Sequence, residues 1–479
     1  MRLWPLLACF AAAEIPPSRL PPNLPPRWKP TYSMPASTIA MPCNDSGFMD
    51  SEVLAAWGVL SWDWSNAKQV WVNEKPMDAE TALVRQALAV KALNPTSRTF
   101  VYRNSVHAMP WFPTVRKKLR DPQYSGFFLS FAGRPPLPNG SYFSPPCEPT
   151  NKSLCNMQYH DQTQTPSVLP SGDGICLESC DCGAGIPCGF YLFNHRNGSM
   201  IRDWLVSEYF VGPTSVGHPA IDGLFVDDYW CDSRGTCPLR GRGRLVGPAE
   251  TEPHVLQDLG MGDSEVDAMA LAWRENLDAA LEEIRRKNGT TWDLSFSFNS
   301  YNDPKAGAMT VPRPSIITKA TCAAVLAREC APSDRSSVEY NGVDHLGKSP
   351  KLCCCVTASC PGPCPADCPR LRDIPLFYGL NYTSKSALSD PDPHIRLPML
   401  EQDLAGFHLV RGDYAWLGFG FLSCHPDTNY TLPQSLRNDP GTPLGQCYNA
   451  GGTVFRRKYT RADVELDCSE WRGAMKFHS

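Results

Sequence analysis

Residues 221–230 read Ile-Asp-Gly-Leu-Phe-Val-Asp-Asp-Tyr-Trp, an apolar run that ends in two aspartates and two aromatic residues. A short, nearly continuous apolar run of this kind is typical of a buried strand in a parallel sheet. Successive side chains of a strand point to opposite faces, so Asp227 and Asp228 cannot share one face. Asp227 lies on the same face as Phe225, and we therefore expect Asp227 to point inward.

Short apolar runs alternate with helical patterns along the whole chain, which is typical of parallel βα units. The sequence therefore predicts an α/β fold, a (β/α)8 TIM barrel with Cys-rich loop insertions and a small C-terminal β appendage. An open doubly wound sheet is the alternative, but no glycine-rich phosphate turn supports it. The predicted strands are 58–62, 99–103, 190–194, 221–226, 293–298, 315–318, 374–378 and 414–419.

Two helices are predicted between these strands. Ser264–Lys287 has apolar residues every three and four positions, with Ser264 and Asp267 as a capping pattern and Gly289 beyond its end. A second helix is expected over about 395–410. The predicted division of the chain is 1–13 signal peptide, 14–42 Pro-rich linker, 43–425 barrel with insertions near 113–188 and 320–373, and 426–479 C-terminal β extension.

The N-terminus and the cysteines predict secretion. An arginine, a short apolar run and small residues precede Glu14, as in a secretory leader. The chain has 21 cysteines, and removal of Cys9 leaves an even number, which favours disulfides in an oxidising compartment. Zinc binding by the cluster 353–368 is the alternative, but its spacing is irregular and lacks histidine. Predicted N-glycan acceptors are Asn44, Asn139, Asn151, Asn197, Asn288, Asn381 and Asn429.

Composition excludes several classes of function. Hydrophobic residues make up 42% of the chain, enough for a large core. The net charge is -4, with 45 basic and 49 acidic side chains, so no basic field favours nucleic acid as a partner. No apolar run beyond the leader reaches the ~18 residues that a membrane span needs.

The predicted strand ends supply acidic, amide and aromatic side chains suited to a carbohydrate partner. Glycoside cleavage needs two carboxyl groups. Asp227 is expected to be nucleophile or electrostatic stabiliser, Asp228 its support, and Asp63 or Glu401 the acid; no cofactor or metal is required. His107 follows no metal spacing and receives no role. The predicted substrate-binding residues are Trp62, Trp64, Tyr102, Arg103, Asn104, His195, Arg196, Tyr229, Trp230, Asn299 and Trp416.

The strand-4 stretch Asp-Gly-Leu-Phe-Val-Asp-Asp and the strand-1 end Trp62-Asp-Trp-Ser-Asn66 resemble TIM-barrel glycoside hydrolase-like families. The resemblance covers residues from about 54 to 424. Within those families, it is to the family-15-like and endo-polygalactosaminidase-like groups. This resemblance implies that Asp227 is catalytic. Such barrels usually take their second carboxyl from a later strand end, but here the later ends carry Asn299, Thr318-Lys319 and Asn381.

Two classes of function follow from these patterns. The first is a secreted glycoside hydrolase acting through strand-end carboxylates. The second is a non-catalytic carbohydrate-binding or cell-surface structural glycoprotein on the same fold, in which the aspartate pair only caps a turn or holds calcium. A hydrolase needs two carboxyl groups facing one opening, whereas a binding protein needs only aromatic and amide side chains.

Overall fold

This computed structural model describes residues 32–132, 158–161, 166, 181–196, 198–235, 246–248, 255–288, 317–331, 376–412, 415–422 and 424–478. Its centre is a six-stranded parallel sheet with the strand order β10-β11-β1-β2-β3-β7. The strands are β1 Thr38–Met41, β2 Val59–Trp62, β3 Arg98–Asn104, β4 His107–Ala108, β5 His160–Asp161, β6 Phe190–Leu192, β7 Gly223–Asp227, β8 Trp230–Cys231, β9 Gly247–Pro248, β10 Leu376–Gly379, β11 Ala415–Phe421, β12 Tyr448–Gly451, β13 Val454–Lys458, β14 Ala462–Asp467 and β15 Arg472–Phe477.

The central sheet confirms the predicted α/β class with parallel strands. Strands β2, β3, β7, β10 and β11 each coincide with a strand predicted from the sequence, and every pairing among them is parallel. The outer strands β7 and β10 are not paired with each other in the described part of the chain. The predicted strand 293–298 and residues 315 and 316 of the predicted strand 315–318 fall outside that part, so closure of the barrel stays a prediction.

Two assignments along the central sheet were wrong. The predicted third barrel strand, 190–194, forms β6, which pairs antiparallel with β4 and β5 in a separate sheet. In its place β1 lies between β11 and β2, although residues 14–42 were expected to be a linker. The proline-rich composition concealed this four-residue strand, whose side chains are all buried.

Strand β1 fits between its neighbours because Gly418 of β11 has no side chain. Ile39 is level with Gly418 on one side and with Val59 on the other. A Cβ atom on Gly418 would lie 1.7 Å from the carbonyl oxygen of Ile39. The disulfide Cys43–Cys424 then joins the segments that leave β1 and β11.

Helix α3 packs against β3 of this sheet, and α10 packs against the C-terminal strands. The predicted helix 264–287 is confirmed as α7, whereas the one predicted over 395–410 is split at Leu397–Met399. Pro398 explains the break, because a residue before proline disfavours helical backbone and Leu397 has ψ 69°. The helices are α1 Ser51–Leu54, α2 Lys68–Asn73, α3 Ala79–Leu93, α4 Pro113–Arg120, α5 Gly198–Trp204, α6 Val255–Leu259, α7 Asp263–Asn288, α8 Cys322–Glu329, α9 Pro393–Arg396 and α10 Leu400–Val410.

The C-terminal strands form a second sheet. Strands β12 to β15 are antiparallel in sequential order and lie within 426–479, where the sequence predicted a small β appendage. Disulfides Cys322–Cys468 and Cys330–Cys447 join α8 to this sheet. Within the described ranges, no helix combines the length and apolar character needed to cross a bilayer.

We predict that Gly418→Ala destabilises the fold by on the order of 3 kcal/mol, because the new methyl group would overpack against the β1 backbone. Denaturant unfolding monitored by tryptophan fluorescence measures this change. Gly47→Ala is the control, since a Cβ there meets no atom within 4 Å. Equal stability of the two variants would contradict the close approach of β1 and β11.

Candidate functional site

The carboxyl ends of β2, β3 and β7 meet at one edge of the central sheet, here called the carboxyl edge. Asn104 is level with Asp227 across β3 and β7. Trp62 is level with Val101 across β2 and β3, so Asp63, which follows β2 directly, comes level with Tyr102. Residues level with one another on adjacent strands share a face, and Asp63, Tyr102 and Asp227 therefore lie on the same face.

Asp227 is partly exposed at this edge. Its Oδ2 accepts a hydrogen bond of 2.9 Å from the Tyr102 hydroxyl, and its Oδ1 accepts one of 3.0 Å from the backbone N–H of Asp228. Desolvation by the surrounding protein, and then the negative charge of Asp228, raise the pKa of Asp227 to about 7. The carboxyl group is therefore placed to exchange a proton near neutral pH.

Asp228 occupies a different environment from its neighbour. Its backbone is left-handed, with φ 62°. Strand alternation predicted that its side chain would take the face opposite Asp227, but the left-handed turn breaks the alternation, and the Asp228 carboxylate reaches Asn104, which lies on the face of Asp227. The buried carboxylate accepts hydrogen bonds of 2.5 Å from Asn104 Nδ2 and from His107 Nδ1. The Ser105 hydroxyl lies 2.8 Å from the carbonyl oxygen of Asp228 and 3.0 Å from that of Asp227, so its one proton is shared between them and holds the turn in place.

Asn104 connects the two aspartates. Its amide nitrogen donates to Asp228 and, over 2.8 Å, to the Tyr102 hydroxyl, which in turn donates to Asp227. Its amide oxygen accepts from the backbone N–H groups of Val106 and His107. The side chain thus uses all of its hydrogen-bonding capacity within the site.

Asp63 is the second acidic side chain on the face of Asp227. It is 8% exposed, and its Oδ1 accepts from the backbone of Ser65. Its negative charge contributes to raising the pKa of both Tyr102 and Asp227. The sulfurs of Cys43 and Cys424 lie within 4.8 Å of this carboxylate, but they are bonded to each other and offer no thiolate to a metal ion.

Two predicted substrate-binding residues lie on the face of the sheet opposite Asp227, the face against which α3 packs. Arg103 is fully buried, forms an ion pair of 3.1 Å with Glu80 of α3, and donates to the carbonyl oxygen of Tyr209. Trp62 is fully buried on the same side of the sheet as Arg103. Strand alternation therefore places Arg103 and Trp62 on the face opposite Asp227, and the structure does not bring these two predicted binding residues together with the carboxylates.

His195 and Arg196 do not join the carboxylates. The ring of His195 donates from Nε2 to the Ser105 carbonyl oxygen and accepts at Nδ1 from Asn276. Burial lowers the pKa of His195 to about 4, so the ring is a neutral structural bridge. Arg196 lies 3.8 Å from Glu265 at the start of α7.

The aromatic rings predicted to stack on sugars are packed against other side chains and are not open to solvent. Trp64 is 8% exposed and contacts Trp111 at 4.9 Å between ring centroids. A ring that stacks on a sugar must offer an open face, and Trp64 offers none here, so its binding role stays a prediction. Asn299 lies outside the described residues. Apart from Trp62, the other buried rings of the predicted set are those of Tyr102, Tyr229, Trp230 and Trp416.

Glu401 is also remote from the carboxyl-edge network. It is exposed in the first turn of α10, where its backbone lies against Gly473 of β15. In contrast, the structure adds His107, to which the sequence assigned no role. In the sequence, only the closeness of His107 to Asn104 could have suggested a role in the site. Its pairing with Asp228 could not be foreseen, because it depends on the turn after β7.

Comparisons with known proteins give little similarity. No protein-family model matches the chain, and no curated protein matches it. A Bacillus licheniformis trehalose-6-phosphate hydrolase is 10% identical, covering 54% of this chain and 44% of its own, with TM-score 0.26. A family GH13_31 enzyme is 12% identical, covering 55% and 46%, with TM-score 0.25. A maltogenic amylase from S. marinus is 10% identical, covering 87% and 57%, with TM-score 0.32.

The matched region spans about half the length of these solved structures. At these TM-scores the similarity carries no argument about function. The function of the chain is therefore argued from its own residues.

We predict that wild-type stability falls as pH rises from about 4 to about 7, whereas Asp227→Asn lacks this fall. The native state holds the Asp227 proton more tightly than the unfolded chain, so deprotonation costs stability on the order of 3 kcal/mol. Denaturant titrations across this range measure the effect. The exposed Asp427→Asn is the control, and parallel pH curves for wild type and Asp227→Asn would contradict the raised pKa.

Proposed function

We propose that the protein hydrolyses glycosidic bonds, with Asp227 as the group that protonates the leaving oxygen. The observation that carries this proposal is a carboxyl group with a pKa of about 7 at the carboxyl end of a parallel strand. Active sites of parallel α/β folds form at this edge. A carboxyl raised to near-neutral pKa is the usual proton donor of a glycosidase.

This role differs from the one expected from the sequence, where Asp227 was nucleophile or stabiliser. A nucleophile must be ionised at working pH, whereas an acid must retain its proton. Desolvation and the Asp228 charge both favour the protonated form of Asp227. The environment therefore suits Asp227 to proton donation.

Asp63 is the second carboxyl group in the proposed mechanism. It shares a face with Asp227, and its negative charge can stabilise the positive charge that develops on the sugar ring. Asp228 is unsuited to this role because its carboxylate is buried and bound by Asn104 and His107. Glu401 is unsuited because it lies beside the C-terminal sheet.

A lectin-like binding protein on the same fold is the alternative, in which aromatic rings and amides bind a sugar without catalysis. Trp64 and Asp63 are each 8% exposed, so burial does not favour one function over the other. The pKa of Asp227 favours hydrolysis, because a binding protein needs no group that exchanges a proton near neutral pH.

We also propose that the protein acts outside the cell, as expected from its leader and acceptor sequences. The disulfides Cys43–Cys424, Cys322–Cys468 and Cys330–Cys447 support an oxidising compartment.

We expect wild type to hydrolyse at least one member of an oligosaccharide panel, and Asp227→Asn to lose about 10²–10⁴-fold in kcat. The loss should be much smaller on an aryl glycoside whose leaving group needs no proton, because only the acid role is removed. Product release measured on both substrate types separates these effects. Asp63→Asn should be impaired on both types, and the exposed Asp427→Asn on neither.

Two results would contradict the proposal. One is the absence of hydrolysis by wild type across the panel. The other is equal turnover by wild type and Asp227→Asn on unactivated oligosaccharides.

A further inference from the structure

We infer that His107 is a second proton-transfer residue of this site, which takes the proton from the attacking water while Asp228 orients its imidazole. The inference rests on the proposed function and adds a catalytic residue to it. Asp227 and Asp63 already have other roles in the proposed mechanism. Asp227 donates a proton to the leaving oxygen, and Asp63 stabilises the positive charge on the sugar ring. Hydrolysis still requires a base where water attacks directly.

The geometry fixes which ring nitrogen of His107 is free to act. Nδ1 lies 2.5 Å from Oδ2 of Asp228. That carboxylate also accepts from Asn104 Nδ2, so it acts as acceptor and the ring proton is on Nδ1. The lone pair is then on Nε2, which is the atom that would take a proton. Within the described part of the chain, Nε2 has no hydrogen-bond partner.

The ring is also held in position. The His107 backbone N–H donates to Asn104 Oδ1, and the ring stacks on Phe190 with 4.7 Å between centroids. Asp228 is itself fixed by its left-handed backbone and by the Ser105 hydroxyl. A base oriented by a carboxylate that is held in turn by other groups is the arrangement that general-base catalysis uses.

His195, which contacts Ser105 but does not join the carboxylates, is a structural histidine and differs from His107. Both of its ring nitrogens are hydrogen-bonded, to the Ser105 carbonyl oxygen and to Asn276. No lone pair of that ring is left for chemistry. His107 instead belongs to the hydrogen-bonded series that runs through Asp228, Asn104 and Tyr102 to Asp227.

The proposed step balances as follows. The water oxygen forms a bond to the anomeric carbon and gives one proton to Nε2 of His107. The bond from that carbon to the glycosidic oxygen breaks, its electron pair stays on the oxygen, and Asp227 supplies the second proton. His107 later loses its proton to solvent and Asp227 regains one. Direct attack by water inverts the anomeric configuration.

The test uses the full-length protein and an oligosaccharide that wild type hydrolyses. His107→Asn keeps an amide donor toward Asp228 but removes Nε2. We expect kcat to fall about 10²–10³-fold with KM and melting temperature close to wild type. His218→Asn is the matched control. Nδ1 of His218 accepts a hydrogen bond from the backbone N–H of Ala220, and the residue lies outside the network that joins Asp227 and Asp228. Proton NMR of fresh product should show inversion.

Two results would overturn the role of His107 but leave the proposed function standing, provided that Asp227→Asn is inactive. The first is a wild-type kcat in His107→Asn. The second is a product with retained anomeric configuration. If His107→Asn fails to fold, ¹⁵N NMR of the wild-type ring decides, because we expect a protonated Nδ1 and an unprotonated Nε2, and the opposite tautomer refutes the assignment. Absence of any wild-type hydrolysis would instead refute the proposed function, and the inference with it.

Discussion

The side-chain amide of Asn104 joins two carboxyl groups that would otherwise repel each other at the carboxyl edge. It donates to Asp228 directly and to Asp227 through the Tyr102 hydroxyl. Removing such charges from water is costly unless each is hydrogen-bonded. The carboxyl ends of β3 and β7 can therefore hold both aspartates only while the Asn104 amide and the left-handed turn at Asp228 are in place.

The same constraint gives two adjacent residues different chemistry. Asp228 is hydrogen-bonded to Asn104 and His107, so its carboxylate can orient the His107 ring. Asp227 remains partly exposed and has a pKa of about 7. A carboxyl group with a raised pKa beside a second acidic side chain is typical of acid–base sites. The proposed division of roles, with Asp227 donating a proton and Asp228 orienting a base, follows from this difference in surroundings.

The sequence predicted the strand that bears the site but not the partners of its aspartates. Strand alternation placed Asp227 on the face of Phe225, and the helix Ser264–Lys287 was visible from its periodicity. The pairing of Arg103 with Glu80 was not visible, because it depends on how α3 packs. His107 was missed because its contact with Asp228 joins residues 121 positions apart. Strand β1 was hidden by the prolines before it, since its four residues show no clear periodicity.

The protonation of Asp227 is the claim that the account depends on most directly. Carboxyl ¹³C NMR of the full-length protein, with Asp227→Asn to assign the resonance, follows this group through pH 3 to 9. The account predicts a titration midpoint of about 7 for Asp227. A midpoint near the ~4 of an unperturbed aspartate would contradict it, because such a group would have lost its proton well below neutral pH and could not donate one to a leaving oxygen.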